Sequence, residues 1–307
     1  LSKKGKYDIA IECYNRALDY DPEYISAYFN KGNNLFNQGK YKDAIECYNK
    51  VIELDPDDTT AYFNKGIALD KEGKYKDAIE SYNRVLKIEP NHTNAWINKG
   101  LVLDKEGKYE DAIECYEKAI TLDPRDISAR NNKGVALINA GKYEEAIKCY
   151  DEALEIDPDF TLARNNKKIA INKLEKYKKI ICDRGDMLLN QENYRDAIKY
   201  YNRVLKIDYN CADAWNNKGI ALFNQGKYEE AIKCYNKSLR IEPKYGDSWY
   251  YKGIALFNQG KYEEAIKCCD TALYISTCEF LLPECKIKSK KIELFRLKIV
   301  KLIRDNL

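Results

Sequence analysis

Along residues 25–58, small and apolar positions recur at helical spacing: Tyr28, Gly32 and Leu35 stand at i, i+4 and i+7, and Ala44, Tyr48 and Val51 repeat the interval, with Ile45 and Ile52 beside the second stripe. Two such stripes predict two amphipathic helices. Gly39 lies between them, where a reversing chain needs a residue tolerant of positive φ. Pro56 ends the second, because its ring and missing N–H do not fit a helix interior. The predicted unit is a helix hairpin, and it recurs. Pro22, Pro56, Pro90, Pro124 and Pro158 are 34 residues apart, as are Gly32, Gly66, Gly100 and Gly134, and Ala10, Ala44, Ala78, Ala112 and Ala146.

Counting by this period gives a partial unit at 1–24 that supplies only a second helix, then complete units at 25–58, 59–92, 93–126 and 127–160. The phase then breaks. Residues 161–177 are half a period, an extra helix expected at the junction of two sub-arrays, and complete units resume at 178–211, 212–245 and 246–279. Lys168 and Glu175 replace the two glycines of the unit, and neither Gly nor Pro stands between Pro158 and Gly185. A long helix over about 161–191 is expected, with a short turn near Lys176 as the alternative. The tail, 280–307, differs: Ile292, Phe295, Ile299, Leu302 and Ile303 form a stripe, opposite Lys286, Lys288, Lys290, Lys291, Arg296, Lys298, Lys301 and Arg304. A basic amphipathic helix that caps the last unit is expected.

The order aromatic, two residues, Lys-Gly, then Gly-x-Tyr, Ala, Tyr and Pro closely resembles the tetratricopeptide repeat, which has this period. The resemblance covers residues 1 to about 279 and departs mainly at the seventh position, which is lysine at Lys31, Lys65, Lys99, Lys133, Lys218 and Lys252. It implies an all-α fold, a right-handed superhelical α-solenoid of helix-turn-helix hairpins. It further implies a non-enzymatic interaction scaffold whose protein or peptide partner lies in a concave groove.

Composition narrows the classes. Lys+Arg 52 against Asp+Glu 49 gives a net charge of +3, which offers no general attraction to nucleic acid or anionic membrane. No apolar run reaches the roughly 20 residues of a membrane span. Six of the 11 cysteines, Cys13, Cys47, Cys115, Cys149, Cys234 and Cys268, share one unit position, so duplication rather than metal ligation sets their spacing. The sole histidine, His92, lies in a turn within Asn91-His92-Thr93, read as a helix cap. No metal, cofactor or small-molecule substrate is expected, and neither is catalysis, because no acid, base and nucleophile are set together. A reducing, cytoplasmic location is expected. Leu1 aligns with the eleventh position of the unit, so the chain is expected to be part of a longer protein.

What repeats besides the core is a second face of each first helix, about 140° from the core stripe. Its amides form a column, Asn30, Asn64, Asn98, Asn132 and Asn217. An amide both donates and accepts, so it can pair with the backbone of an extended peptide. Beside the column stand Phe29, Asn33, Phe63, Ile67, Ile97, Leu101 and Asn131 in the first sub-array, and Asn216, Tyr250 and Tyr251 in the second. These residues are the candidate groove. Two other readings stand beside it: a regulatory or substrate-recruiting arm of a larger enzyme, and a membrane or nucleic-acid adaptor acting through the basic tail.

Overall fold

The structure, a computed structural model, describes residues 3–278 and 283–305, which are helical apart from short turns. It divides into two compact units, residues 1–173 and 174–307. The first holds α1 (Lys3–Tyr20), α2 (Ile25–Asn37), α3 (Tyr41–Leu54), α4 (Thr59–Lys71), α5 (Tyr75–Ile88), α6 (Thr93–Lys105), α7 (Tyr109–Leu122), α8 (Ile127–Asn139) and α9 (Tyr143–Ile156). The second holds α11 (Tyr194–Ile207), α12 (Ala212–Asn224), α13 (Tyr228–Ile241), α14 (Gly246–Asn258), α15 (Tyr262–Cys278) and α16 (Pro283–Asp305). The boundary between them falls within α10 (Thr161–Asn190).

Each first helix packs on its own second helix, and each second helix packs on the first helix that follows. A buried tyrosine fills the crook of each hairpin but the last: Tyr48, Tyr82, Tyr116, Tyr150, Tyr201 and Tyr235 lie against Gly32, Gly66, Gly100, Gly134, Gly185 and Gly219, whereas Gly253 meets Cys268 and Cys269. The approach is too close for a side chain, since a Cβ at Gly66 would fall 2.6 Å from Tyr82 Cε1. Asp58 and Asp126 cap α4 and α8 by accepting from Ala61 N and Ala129 N, each at 2.8 Å. His92 caps α6 in the same way, its Nδ1 accepting from Ala95 N at 3.1 Å.

α10 runs unbroken across positions 177 and 178, where the counted boundary between extra helix and next repeat lies. Its first part contributes Ala163 and Ala170 to the core of the first unit. Its later part brings Tyr177, Ile181 and Cys182 against Val204, Leu205 and Trp215 in the second.

α16 packs on α15, burying Ile292 and Ile299 with Leu256, Ala265 and Cys269, while Phe295 and Ile303 are partly covered. Leu302, expected in that stripe, is instead 37% exposed. The buried pair is spaced by seven residues, as Ala163 and Ala170 are in α10, and Leu302 falls outside that register. The side chains of Lys286 and Lys288 lie outside the described residues. Arg296 binds Asp270 of α15. The same link joins Lys133 of α8 to Glu117 of α7 and Lys167 of α10 to Asp151 of α9. α16 thus sits as one more first helix, with its register displaced.

Candidate functional site

On the amide face of the first unit, α2 and α4 border a cleft lined by Asn33, Phe36, Asn37, Tyr48, Asn64 and Ile67. Its polar wall is internally bonded: Tyr48 OH donates to Asn33 Oδ1 at 2.9 Å, and Asn64 Nδ2 donates to the same oxygen at 3.3 Å. One first-helix amide therefore ties its own repeat to the next. Phe29 packs on Tyr48 and Phe63 on Tyr82, with ring centroids 6.1 and 5.9 Å apart. Ile97 and Leu101 are partly buried against the neighbouring core. Asn30 is exposed and Asn98 half-buried, and neither side-chain amide has a hydrogen-bond partner among the described residues.

Two expected groove residues are corrected. Asn131 and Asn216 are each only 3% exposed. Asn131 Nδ2 donates to Asn132 Oδ1 at 3.4 Å and its Oδ1 accepts from Asn166 Nδ2 at 2.9 Å. Asn216 Nδ2 donates to Asn217 Oδ1 at 3.0 Å and its Oδ1 accepts from Ser248 Oγ at 2.9 Å. These amides face their neighbours rather than a ligand.

In the second unit the bonding extends further. Asp186 Oδ1 accepts from Tyr201 OH at 2.7 Å and from Asn217 Nδ2 at 2.9 Å. Through Asn217, Asn216 and Ser248 the chain of bonds reaches Ser238, whose Oγ is 2.8 Å from Ser248 Oγ. Burial, and then Asp186, push the Tyr201 hydroxyl far above its ordinary value, so it stays a donor at any ordinary pH. Asp186, Ser238, Ser248 and Tyr201 were not among the sequence candidates. The available signal was that Asp186 shares its unit position with Asn33 and breaks a run of Ile67, Leu101, Val135 and Ile220.

The remaining candidates are spent on aromatic packing. Tyr251 stacks on Tyr235 with centroids 6.4 Å apart, and Tyr250 meets Phe295 of α16 edge to face at 6.2 Å. The terminal helix thus covers part of the face on which Tyr250 was expected to meet a ligand. Asp213 of α12 accepts from Tyr245 OH at 2.5 Å.

The tetratricopeptide repeat model matches residues 25–58, 59–92, 93–126, 127–160, 212–245 and 246–276, and a second TPR repeat model matches 1–38 and 185–226. The chain belongs to the tetratricopeptide repeat family. No curated protein matches it. Among solved structures it is similar to MamA, with 32% identity over 50% of this chain and 91% of that one at a TM-score of 0.49. It is similar to YrrB, described as a TPR protein with an unusual peptide-binding site, with 21% identity over 79% and 98% of the chains at a TM-score of 0.43. A tetratricopeptide repeat protein from Parabacteroides merdae is 16% identical over 88% and 98%, at a TM-score of 0.46. Among the described residues of this tetratricopeptide repeat chain, no His/Cys/Asp/Glu group is arranged to hold a metal ion, and no helix is long and apolar enough to cross a membrane.

Proposed function

We propose that this chain is a protein-interaction scaffold that holds an extended peptide segment of a partner along the amide face of α2, α4 and α6. The observation that carries the reading is the difference between amides on that face. Asn64 spends a donor on Asn33, whereas Asn30 and Asn98, one repeat to either side, keep their whole hydrogen-bonding capacity. Between them the cleft offers Phe36 and Ile67 as apolar floor. Two uncommitted amides flanking an apolar cleft suit a ligand that supplies backbone N–H and C=O groups at the ends and one apolar side chain between.

The test is selection of peptides from a displayed library on the immobilised protein, followed by titration of a selected peptide against variants. Asn30→Ala and Asn98→Ala are each expected to weaken binding about fivefold, the equivalent of one net hydrogen bond of about 1 kcal/mol, with unchanged thermal unfolding. Binding that both variants leave intact would remove this face as the site.

A further inference from the structure

On the opposite side of each first helix, the lysine at the seventh unit position meets one of two environments. Lys133 pairs with Glu117 at 2.8 Å, Lys167 with Asp151, and, at the matching place in α16, Arg296 with Asp270. The three carboxylates all occupy the twenty-fifth position of the preceding repeat. Before Lys65 and Lys99 that position is Asn49 and Asn83, and neither lysine has an ion pair among the described residues. The Lys99 ammonium lies 5.3 Å over the Trp96 ring instead.

The carboxylate is likewise absent before Lys31, Lys218 and Lys252, where the position is Asn15, Asn202 and Asn236. Lys65 lies in an open furrow with Asn49, Ile52 and Leu69, and Lys99 in the next with Ile79, Asn83 and Leu103. The Lys65 furrow has one cation in excess, Lys65, Lys74 and Arg84 against Asp77 and Glu80; in the Lys99 furrow Lys108 is paired with Glu106 at 2.7 Å, which leaves Lys99 and Lys118 beside Asp111 and Glu114.

We propose that the Lys65 and Lys99 furrows receive carboxylates from an acidic segment of a partner protein, which take in trans the place that Glu117 and Asp151 fill within the chain. The contrast between paired and unpaired sites extends to protonation. Burial pulls the Lys65 ammonium below its ordinary value against the pull of Glu80 and Asp77, whereas at Lys133 burial acts the same way but the Glu117 bond together with the charges of Cys149, Glu117 and Glu152 raises it above. The two furrows stand in successive repeats, so the partner presents carboxylates about 10 Å apart, the spacing of packed helix layers. Apolar side chains between those carboxylates meet Ile52 and Leu69 in one furrow and Ile79 and Leu103 in the next.

The probe is a labelled peptide of repeating Glu-Leu-Ser, which in a polyproline II conformation puts a carboxylate on one side about every 9 Å, compared with Gln-Leu-Ser by fluorescence anisotropy near physiological salt. Lys65→Gln with Lys99→Gln is expected to weaken the glutamate peptide at least about tenfold, the weight of one charge-assisted bond. Asn49→Glu with Asn83→Glu, which supplies the carboxylate within the chain, is expected to do the same without lowering the melting temperature. Lys133→Gln and the equally charged control Asn224→Glu with Asn258→Glu are expected to leave binding unchanged. Equal binding of the glutamine peptide, wild-type binding by Asn49→Glu with Asn83→Glu, or equal affinity for an oligouridylate of matching charge would overturn the proposal.

Discussion

A buried tyrosine hydroxyl is an asset or a liability depending on the residue that faces it from the first helix of its hairpin. Tyr48 and Tyr201 find acceptors in Asn33 and Asp186, whereas the buried hydroxyls of Tyr150 and Tyr235, in repeats with Val135 and Ile220 at that position, have no partner among the described residues. Removing a satisfied hydroxyl leaves an acceptor short, while removing an orphan relieves a desolvated group. Tyr48→Phe and Tyr201→Phe are expected to cost about 1–2 kcal/mol in urea unfolding, and Tyr150→Phe to be neutral or stabilising. The thiols give a pH dependence at the same scale. Burial pushes Cys115 and Cys149 from the ordinary value of 9.0 up to about 11. The unfolded chain ionises these thiols first, so the stability they contribute is complete below pH 9.0 and is lost as pH rises through about 11. Replacing both with Ala is expected to flatten the fall of melting temperature across that window relative to wild type.

Helix boundaries in this chain are set by single residues at the turns. Six glycines, from Gly39 to Gly260, take positive φ between the helices of a hairpin, and Glu192 holds the same place with φ 59°. A side chain in that region costs roughly 1–2 kcal/mol, partly offset by the greater freedom of glycine in the unfolded chain. Glu192→Gly is therefore expected to raise stability by about 1 kcal/mol in urea unfolding, a sign opposite to that of glycine placed in most other positions. The converse holds in α10, where Lys168 and Glu175 replace the glycines of the unit and the helix continues from Thr161 to Asn190. That continuity was legible, because between Pro158 and Gly185 neither glycine nor proline gives the helix a local reason to stop. The register of α16 was less legible. Its stripe named Ile292, Phe295, Ile299 and Ile303 correctly but included Leu302, since an amphipathic pattern gives a face to within one residue and only the partner surface fixes its centre.

For the whole molecule, stability is a sum over neighbouring repeats rather than one shared core. Ile299, fully buried in the last cluster, tests this: Ile299→Ala is expected to cost about 2–4 kcal/mol and to expose the amides of α14, α15 and α16 to hydrogen exchange first, with α2 to α9 keeping their protection. The sequence by itself determined the period, the hairpins, the turns and the family, because each of these follows from spacing within 34 residues. It also placed the amides on one face of the first helices, since that needs only the helical repeat angle. Only the tertiary structure decided what those amides do: Asn131 and Asn216 are buried links, Asn64 is tied to Asn33, Asn30 and Asn98 are uncommitted, and α16 covers Tyr250. The physical reason is that an amide's role depends on which donor or acceptor the adjoining repeat presents within about 3 Å, and residues some 31 to 35 positions apart meet only when the helices stack.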